Sequence, residues 1–335
     1  MKKHDYKIAK KKISNYLSDK NIVATYEYGS YKNPGLSDID LFIVIKNAKY
    51  NSLGKTIADL HNGDLKFFFE YSTVMVTNEA LLKNIILFDN LKIKKIFGKS
   101  LKIFKYNKYN KDLSLLSIIE WLPERTLRLK ENINNFSKIN LRQHLGLLNS
   151  IKFTYIKLNY YFKDELIKLY CKKIIELRKK NNVLKKKKEI LNLSKEILKF
   201  SELLIVKFSK HPVIKKYNFN LSGNAVMTFL NNSKIIFSDK RKEKNNKYSL
   251  NVPLIYSLPF VFHLNKRNTL FKILKTNFKL SKNYKINFRN KNINFILNKR
   301  SKLISNNIDL LLKNNIYKGL YKFGWYLNNN EKKIK

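Results

Sequence analysis

Apolar residues in the first hundred positions follow the spacing of a small α/β domain. Between residues 6 and 17 they recur every three or four positions, which is the period of an amphipathic helix. Two apolar runs then flank a short connection with turn-forming residues, Asn33-Pro34-Gly35. The predicted elements are a helix over 6–17, strands over 22–28 and 39–45, a helix over 52–61, a strand over 65–76 and a helix from the caps Thr77 or Asn78 to Phe88.

The pattern changes after residue 110 to long helical segments, as in a helical bundle. We predict helices over 113–132, 141–162, 165–180 and 186–209, with Pro123 breaking the first of them. Beyond residue 211 the pattern is weaker, with a charged loop over 240–247, strands within 248–264 and a terminal helix over 298–320. The predicted organisation is an α/β (α+β) domain over 1–108, a helical domain over 112–210 and a basic region over 211–335.

The length and composition indicate a folded protein of more than one domain. Single cores stop growing near ~250–300 residues, and this chain has 335 residues, 44% of them hydrophobic. Cys171 is the only cysteine, which excludes an intrachain disulfide, and the Cys and His residues lack zinc-ligand spacing. No run approaches the ~20 apolar residues of a membrane span, and no apolar segment follows the basic N-terminus. We therefore expect a protein of the reducing cytoplasm.

The net charge of +45 indicates a polyanionic partner such as RNA, DNA or an anionic membrane surface. Residues 1–110 carry 20 basic and 10 acidic residues, whereas residues 111–335 carry 49 and 14. The C-terminal two thirds is thus the more basic part. An A/T-rich coding sequence would also enrich Lys, Asn and Ile, although it would not make Asp and Glu scarce.

The segment from Tyr26 to Ile45 carries the residues that indicate chemistry. Asp38 and Asp40 stand at i and i+2, so on a strand both carboxylates project from one face. Two adjacent carboxylates repel each other unless a cation lies between them, and hard oxygen ligands suit Mg²⁺ bound together with substrate phosphates. Gly29 and Ser30 end the preceding strand, where backbone N–H groups and a hydroxyl can bind phosphate oxygens.

Gly29-Ser30 followed by Ser37-Asp38-Ile39-Asp40 resembles the signature of the DNA polymerase beta superfamily of nucleotidyltransferases. The resemblance covers about residues 20–104 and implies a catalytic core with a mixed sheet. It implies that Asp38 and Asp40 bind Mg²⁺, and that Gly29, Ser30 and Ser37 bind the nucleotide. Seven residues separate Ser30 from Asp38, fewer than in many relatives, so the phosphate pocket is expected to be altered.

Members of this superfamily add a third carboxylate from a later strand as metal ligand or general base. Glu70 is the leading candidate, because an acid inside the apolar run 67–76 is costly to bury unless it is paired or metal-bound. A competing alignment places Val74 where the acid stands in minimal nucleotidyltransferases. Asp64 is a third possibility, although it is expected to lie in a turn.

The expected activity is Mg²⁺-dependent transfer of a nucleotidyl group from an NTP to a hydroxyl, with an RNA 3′ end favoured over a small molecule, glycan or protein. The alternative is a non-catalytic protein that keeps this fold and binds RNA or another polyanion. Lys32 near the phosphate site is expected to be solvated, and Glu120, Glu124, Arg125 and Arg128 are expected to form ion pairs on a helix surface.

Overall fold

The computed structural model describes residues 3–17, 22–29, 33–46, 64–69, 74–88, 92–217, 219–229, 232–239, 248–261, 277–287 and 290–313. The protein is of mixed α+β class, and the chain divides into two compact units. Unit 1 comprises Met1–Asn110 and Asn298–Lys335, and unit 2 comprises Lys111–Leu297. This grouping differs from the predicted three-part division, because residues 211–297 join the helices and residues from 298 onward join the N-terminal unit.

Unit 1 is built on a mixed four-stranded sheet of order β3-β2-β1-β4. Strand β1 is antiparallel to both β2 and β4, whereas β2 and β3 are parallel. Every residue of β2 after Asp40 is buried, so this strand lies at the centre of the core. The elements of unit 1 are α1 (Lys3–Tyr16), β1 (Ile22–Tyr28), β2 (Asp40–Ile45), α2 (Lys66–Phe69), β3 (Val74–Thr77), α3 (Glu79–Lys83) and β4 (Ile93–Gly98).

The predicted first helix and the two strands that follow it are confirmed. The helix predicted from its cap at Thr77 or Asn78 to Phe88 is confirmed at its start, but it ends at Lys83 and a 3₁₀ turn follows at Ile85–Leu87. The amphipathic helix α1 buries Tyr6, Ala9 and Ile13, which share one face at helical spacing. Asn78 is the cap of α3, since its Oδ1 accepts a hydrogen bond of 2.8 Å from the Leu81 N–H.

Three other segments of unit 1 either differ from the prediction or lie outside the described residues. The strand predicted over 65–76 is wrong in its first half, because Lys66–Phe69 forms a helical turn and the strand begins at Val74. Strand β4 was not predicted. It is an edge strand with two lysines and no buried residue, so it lacks the apolar alternation of a half-buried strand. The helix predicted over 52–61 lies outside the described residues.

The helical part of unit 2 agrees closely with the prediction. Its helices are α4 (Asn110–Asn134), α5 (Leu141–Phe162), α6 (Glu165–Lys179), α7 (Lys187–Ser209) and the short α8 (Pro212–Lys216). The predicted break at Pro123 is wrong, because α4 continues through it. Proline removes one helical hydrogen bond. Ile119, Leu122 and Leu127, which lie before and after Pro123 in the helix, are buried, and their packing stabilises it.

The remainder of unit 2 contains two small sheets. One has the order β8-β7-β6-β9 and the other pairs β10 with β5. The predicted strands within 248–264 are confirmed only for Ser249–Val252, since a 3₁₀ turn and a short helix follow. The elements are β5 (Asn220–Ser222), β6 (Ala225–Thr228), β7 (Lys234–Phe237), β8 (Ser249–Val252), α9 (Leu258–Val261), β9 (Asn277–Leu280), β10 (Lys285–Asn287) and α10 (Lys291–Lys313).

The part of α10 that belongs to unit 1 is bound to the end of its sheet. Arg300 is 1% exposed and donates hydrogen bonds to the carbonyl groups of Leu87 and Phe88. The Asn307 side chain donates to the Val76 carbonyl at 3.2 Å and accepts from the Asn78 N–H at 3.2 Å. The terminal helix is therefore part of the N-terminal core, which the sequence pattern did not indicate.

None of the helices in the described ranges combines the length and the apolar character that crossing a membrane requires.

Candidate functional site

Gly29 and Asp40 meet where two antiparallel strands of unit 1 begin their pairing. Tyr28, the last residue of β1, is the partner of Asp40, the first residue of β2. Gly29 follows with φ of +80°, and a Cβ at this position would lie 3.2 Å from Asp40 Oδ2. The glycine thus turns the chain in the left-handed region and leaves space beside the carboxylate. The structure brings these two predicted site residues together.

Asp38 and Asp40 flank Ile39, whose position is fixed by burial and by a backbone hydrogen bond. Ile39 is 2% exposed, and its N–H donates to the Phe68 carbonyl at 2.9 Å. Asp38 and Asp40 are both half-buried, on either side of the buried Ile39. This alternation of burial is the pattern that two carboxylates on one face of an extended segment produce.

The loop before the aspartates is held by a residue that sequence reasoning did not single out. Tyr6, which is fully buried on α1, accepts a hydrogen bond from the Gly35 N–H at 3.2 Å and donates one to the Ser37 carbonyl at 2.6 Å. Within the loop, the N–H of Ser37 also donates to the Asn33 carbonyl at 3.0 Å. Helix α1 therefore positions the Ser37-Asp38 segment. The available signal was a tyrosine on the apolar face of α1, where a buried hydroxyl needs partners.

Aromatic side chains form the sheet surface next to the aspartates. Tyr28 pairs with Asp40 and Tyr26 pairs with Phe42, so these residues share one face of the sheet. The rings of Tyr28 and Phe42 lie 4.4 Å apart between centroids. The Tyr26 hydroxyl accepts from the Leu101 N–H at 2.7 Å and donates to the Lys99 carbonyl at 2.9 Å. Asp40 thus lies next to an aromatic surface whose Tyr26 is fixed by two hydrogen bonds.

Several predicted residues of the site are not described. Ser30, Lys32 and Glu70 lie outside the described residues. The continuous apolar strand predicted over 65–76 is not formed, because Lys66–Phe69 is helical, so burial in such a strand does not support Glu70 as the third carboxylate. Val74, the alternative position, is the register partner of Leu41 rather than of Asp40. The described part of β3 therefore begins opposite Leu41, the residue that follows Asp40.

Two other acids of unit 1 do not contribute to this site. Glu27 on β1 pairs with Leu41 and so lies on the face opposite to Asp40, where Lys10 Nζ is 3.0 Å from its Oε2. Asp64 lies in a turn, as expected, with 88% of its side chain exposed and Lys12 at 3.6 Å. Neither acid is placed to complete a metal site with Asp38 and Asp40.

The donor set fits a hard divalent cation as far as it is described. Two carboxylates on one side of an extended segment, with the space left by Gly29 next to Asp40 Oδ2, are the ligands and the opening that Mg²⁺ needs when phosphates supply the rest. Across the described ranges, no cluster of three or more His, Cys, Asp or Glu side chains is arranged for a metal. The described residues therefore offer two candidate ligands, Asp38 and Asp40.

The charged cluster on α4 in unit 2 is not a surface feature. Glu120 and Glu124 are 3% and 4% exposed, so the prediction of ion pairs on a helix surface is wrong for these acids. Burial raises the pKa of Glu124, and Arg128 and Arg125 oppose the shift, with Arg128 Nη1 at 3.6 Å from Oε1. Arg125 donates to the Ser150 carbonyl at 2.8 Å and to Thr154 Oγ1 at 2.5 Å, which ties α4 to α5.

Comparisons with known proteins do not identify a family: the chain matches no protein-family model, no curated protein and no solved structure. The resemblance to the DNA polymerase beta superfamily thus rests on the residues Gly29, Asp38 and Asp40 and on the strand-turn-strand geometry that brings them together.

Proposed function

We propose that this protein is a Mg²⁺-dependent nucleotidyltransferase that transfers a nucleotidyl group from an NTP to a hydroxyl acceptor. The observation that carries the proposal is the approach of Gly29 to the carboxylate of Asp40 at the start of β2, with Asp38 two residues before it. A mixed sheet with these residues at the end of two adjacent strands supports the same interpretation.

In this proposal each residue has a separate task. Asp38 and Asp40 hold the metal, which when bound neutralises charge on the phosphates and the leaving pyrophosphate. The Gly29 backbone, the Ser30 hydroxyl and Ser37 bind and orient the triphosphate. Glu70 completes the site as metal ligand or as the base that takes the acceptor proton. The acceptor oxygen forms the new bond to the α-phosphorus, and the bond to pyrophosphate breaks.

The test uses purified protein, Mg²⁺ and labelled NTPs, and measures label transfer or pyrophosphate release. Asp38→Asn and Asp40→Asn are expected to lower the rate by ~10³-fold or more, since lost charge neutralisation costs on the order of 4 kcal/mol of transition-state stabilisation. Asp64→Asn, which changes an exposed acid of the same unit, is the control and should keep the rate. Unchanged turnover in both site variants contradicts the proposal.

An RNA 3′ end is the favoured acceptor, and the net charge of +45 supports it because phosphate neutralisation releases counterions. Labelled ATP, CTP, GTP or UTP is incubated with total RNA, and separately with a metabolite extract cleared of nucleic acid. Label in RNA supports this acceptor. Label that appears only in the extract, with no RNA binding at ~0.15 M salt, assigns the activity to another hydroxyl and excludes RNA.

A non-catalytic polyanion-binding protein with this fold is the second candidate. It is favoured by the residues of β3, Val74-Met75-Val76-Thr77, which include no acid beside β2. Such a protein would bind RNA in a salt-dependent manner that Asp38→Asn and Asp40→Asn leave unchanged. It would form no metal-dependent product with any of the four NTPs, which separates it from the enzyme.

A further inference from the structure

Unit 2 contains a pocket of about 1220 Å³ that is lined only by residues of this unit. Its wall is formed by the C-terminal turn of α7 and by α8, and its floor by strands β6, β7 and β8. Pockets that bind small molecules commonly measure ~300–1000 Å³. This pocket therefore has room for a nucleotide and for a further part of a larger ligand.

The floor of the pocket is a row of three residues across adjacent strands. Val226 on β6 pairs with Ile236 on β7, which pairs with Asn251 on β8. All three are half-buried, whereas the residues that alternate with them along the strands, such as Met227 and Phe237, are buried on the other face. The row thus presents a flat apolar surface that ends in a side-chain amide, a surface on which a planar ring can lie.

The lining of the pocket carries more positive than negative charge, from two lysines and one aspartate. Lys210 and Lys215 line the pocket, and within the described part of the chain neither forms an ion pair. Asp239 also lines the pocket, but its Oδ1 accepts a hydrogen bond of 3.0 Å from the Leu254 N–H. Two lysines facing a concave, partly apolar surface favour a ligand with an anionic group, and an ammonium group is a common phosphate ligand.

An aromatic side chain forms a third side of the pocket. Phe219 lines it, and its ring is stacked on Tyr217 with 5.8 Å between centroids and 12° between planes. The Tyr217 hydroxyl donates to Asp112 Oδ1 at 2.5 Å, which ties this pair to the start of α4. The aromatic wall is therefore held in place by a contact to a helix of the same unit.

We propose that this pocket is a nucleotide-binding site in which Lys210 and Lys215 bind the phosphate and the Val226–Ile236–Asn251 row supports the base. A free nucleotide and the terminal nucleotide of an RNA strand both carry the phosphate and the base that this site would bind. All residues of the site belong to unit 2, so the proposal uses none of the residues assigned to the transfer reaction.

The test measures binding of ATP and of a short single-stranded RNA to the full chain by titration calorimetry in EDTA. The full chain carries Asp38→Asn and Asp40→Asn in every sample, so that metal-dependent binding in unit 1 does not contribute. Replacing Lys210 and Lys215 together by Ala is expected to weaken binding at least about tenfold, since both phosphate ligands are lost. The matched control replaces Lys195 and Lys199, exposed lysines of α7 outside the pocket, and should change the Kd less than about twofold.

A second pair of variants tests the floor. Val226→Phe places a ring in the pocket and should abolish binding, whereas Thr228→Phe on the same face of β6, outside the pocket, should preserve it. Competition identifies the source: RNA that displaces ATP supports a strand end, and ATP that binds while RNA does not compete supports a free nucleotide. Absence of ATP and RNA binding at millimolar concentration, or equal losses in the site and control variants, overturns the proposal. Neither result bears on the transfer activity, which is measured with metal and intact aspartates.

Discussion

At the residue scale, Gly29 and Gly35 offer a matched pair for separating backbone strain from function. Both have a positive φ, +80° and +86°, but a Cβ on Gly29 would meet Asp40 Oδ2 whereas one on Gly35 would meet nothing within 4 Å. The left-handed conformation costs a non-glycine residue about 1–2 kcal/mol. The two positions thus share the strain, and only Gly29 approaches the carboxylate.

We predict that Gly29→Ala and Gly35→Ala lower the free energy of unfolding by similar amounts, about 1–2 kcal/mol each. Only Gly29→Ala should also reduce metal-dependent nucleotidyl transfer, by more than about tenfold, because the methyl group displaces the Asp40 carboxylate. Urea unfolding and turnover measured on the same samples check both parts. Equal loss of activity in the two variants would show that strain, not the contact, is responsible.

His144 in unit 2 illustrates a buried polar residue whose partners the sequence could not reveal. It is fully buried, its Nδ1 lies 3.1 Å from Asn132 Nδ2, and its Nε2 lies 2.7 Å from Ser194 Oγ. Since the Asn132 amide can only donate, Nδ1 accepts and Nε2–H donates to Ser194, whose hydroxyl donates to the Ile190 carbonyl. The neutral imidazole satisfies every group, and burial lowers the pKa of His144 to about 4.

The lowered pKa makes unit 2 sensitive to acid through this one residue. Because the unfolded state binds the proton more readily, stability should fall as the pH drops below 6.5 and level off near the folded pKa of about 4. The full effect is on the order of 3 kcal/mol. His144→Gln keeps a donor and an acceptor but cannot titrate, so its unfolding free energy should vary less over pH 4–6.5. Denaturant titrations at several pH values measure the unfolding free energy of both proteins. The same dependence of this free energy on pH in the wild type and in His144→Gln would contradict the prediction.

At the element scale, the side chain of Asn307 on α10 makes the hydrogen bonds that join this helix to the end of β3. Asn307 satisfies the Val76 carbonyl and the Asn78 N–H at the end of the strand, just before helix α3. Its side chain is 6% exposed, so water does not readily replace these bonds.

We predict that Asn307→Ala destabilises the protein by about 1–3 kcal/mol, the usual cost of leaving buried backbone groups without partners. Asn306→Ala changes the exposed neighbouring position on the same helix and should alter stability by less than about 0.5 kcal/mol. Thermal or urea unfolding distinguishes the two. A small effect at both positions would mean that the Asn307 hydrogen bonds contribute little.

Elements with a regular pattern of apolar residues were predicted correctly. Elements whose conformation depends on contacts with residues far away in the sequence were not. Helices α5, α6 and α7 match the predicted ranges within a residue, since each carries a continuous apolar face. Residues 66–69 were misassigned because their aromatic side chains suit a strand or a buried helical turn equally well. Contact with Ile39, through the bond to the Phe68 carbonyl, is available only in the folded chain.

At the scale of the whole molecule, the net charge is divided more evenly between the two structural units than between residues 1–110 and 111–335 of the sequence. Unit 1 contains 29 basic and 12 acidic residues and unit 2 contains 40 and 12, for net charges of +17 and +28. The contrast between a moderately charged N-terminal part and a highly basic remainder is therefore smaller in the folded protein. Both units carry a field that attracts polyanions.

The grouping of the units predicts the result of a truncation. Ending the chain at Leu297 removes Leu303, Ile304 and Leu310, all buried, and the hydrogen bonds of Arg300 and Asn307. The loss of three buried apolar side chains alone costs about 5 kcal/mol or more, comparable with the stability of a small domain. Hydrogen exchange should then show lost protection in β1 and β2 but retained protection in α5 and α7. A chain that ends at Lys313 is the control, and unchanged protection in both chains would contradict the grouping.

The sequence by itself determined the helices of unit 2, the strands around the turn at residues 33–35, and the identity of Gly29, Asp38 and Asp40 as candidate site residues. These features are local, because periodicity and turn chemistry act over a few neighbouring residues. Only the tertiary structure decided that Tyr6 holds the loop before Asp38, that Glu27 lies on the face opposite to Asp40, and that α10 completes unit 1. These features depend on strand register and on contacts between residues far apart in the chain, which cooperative packing selects and no short window of sequence contains.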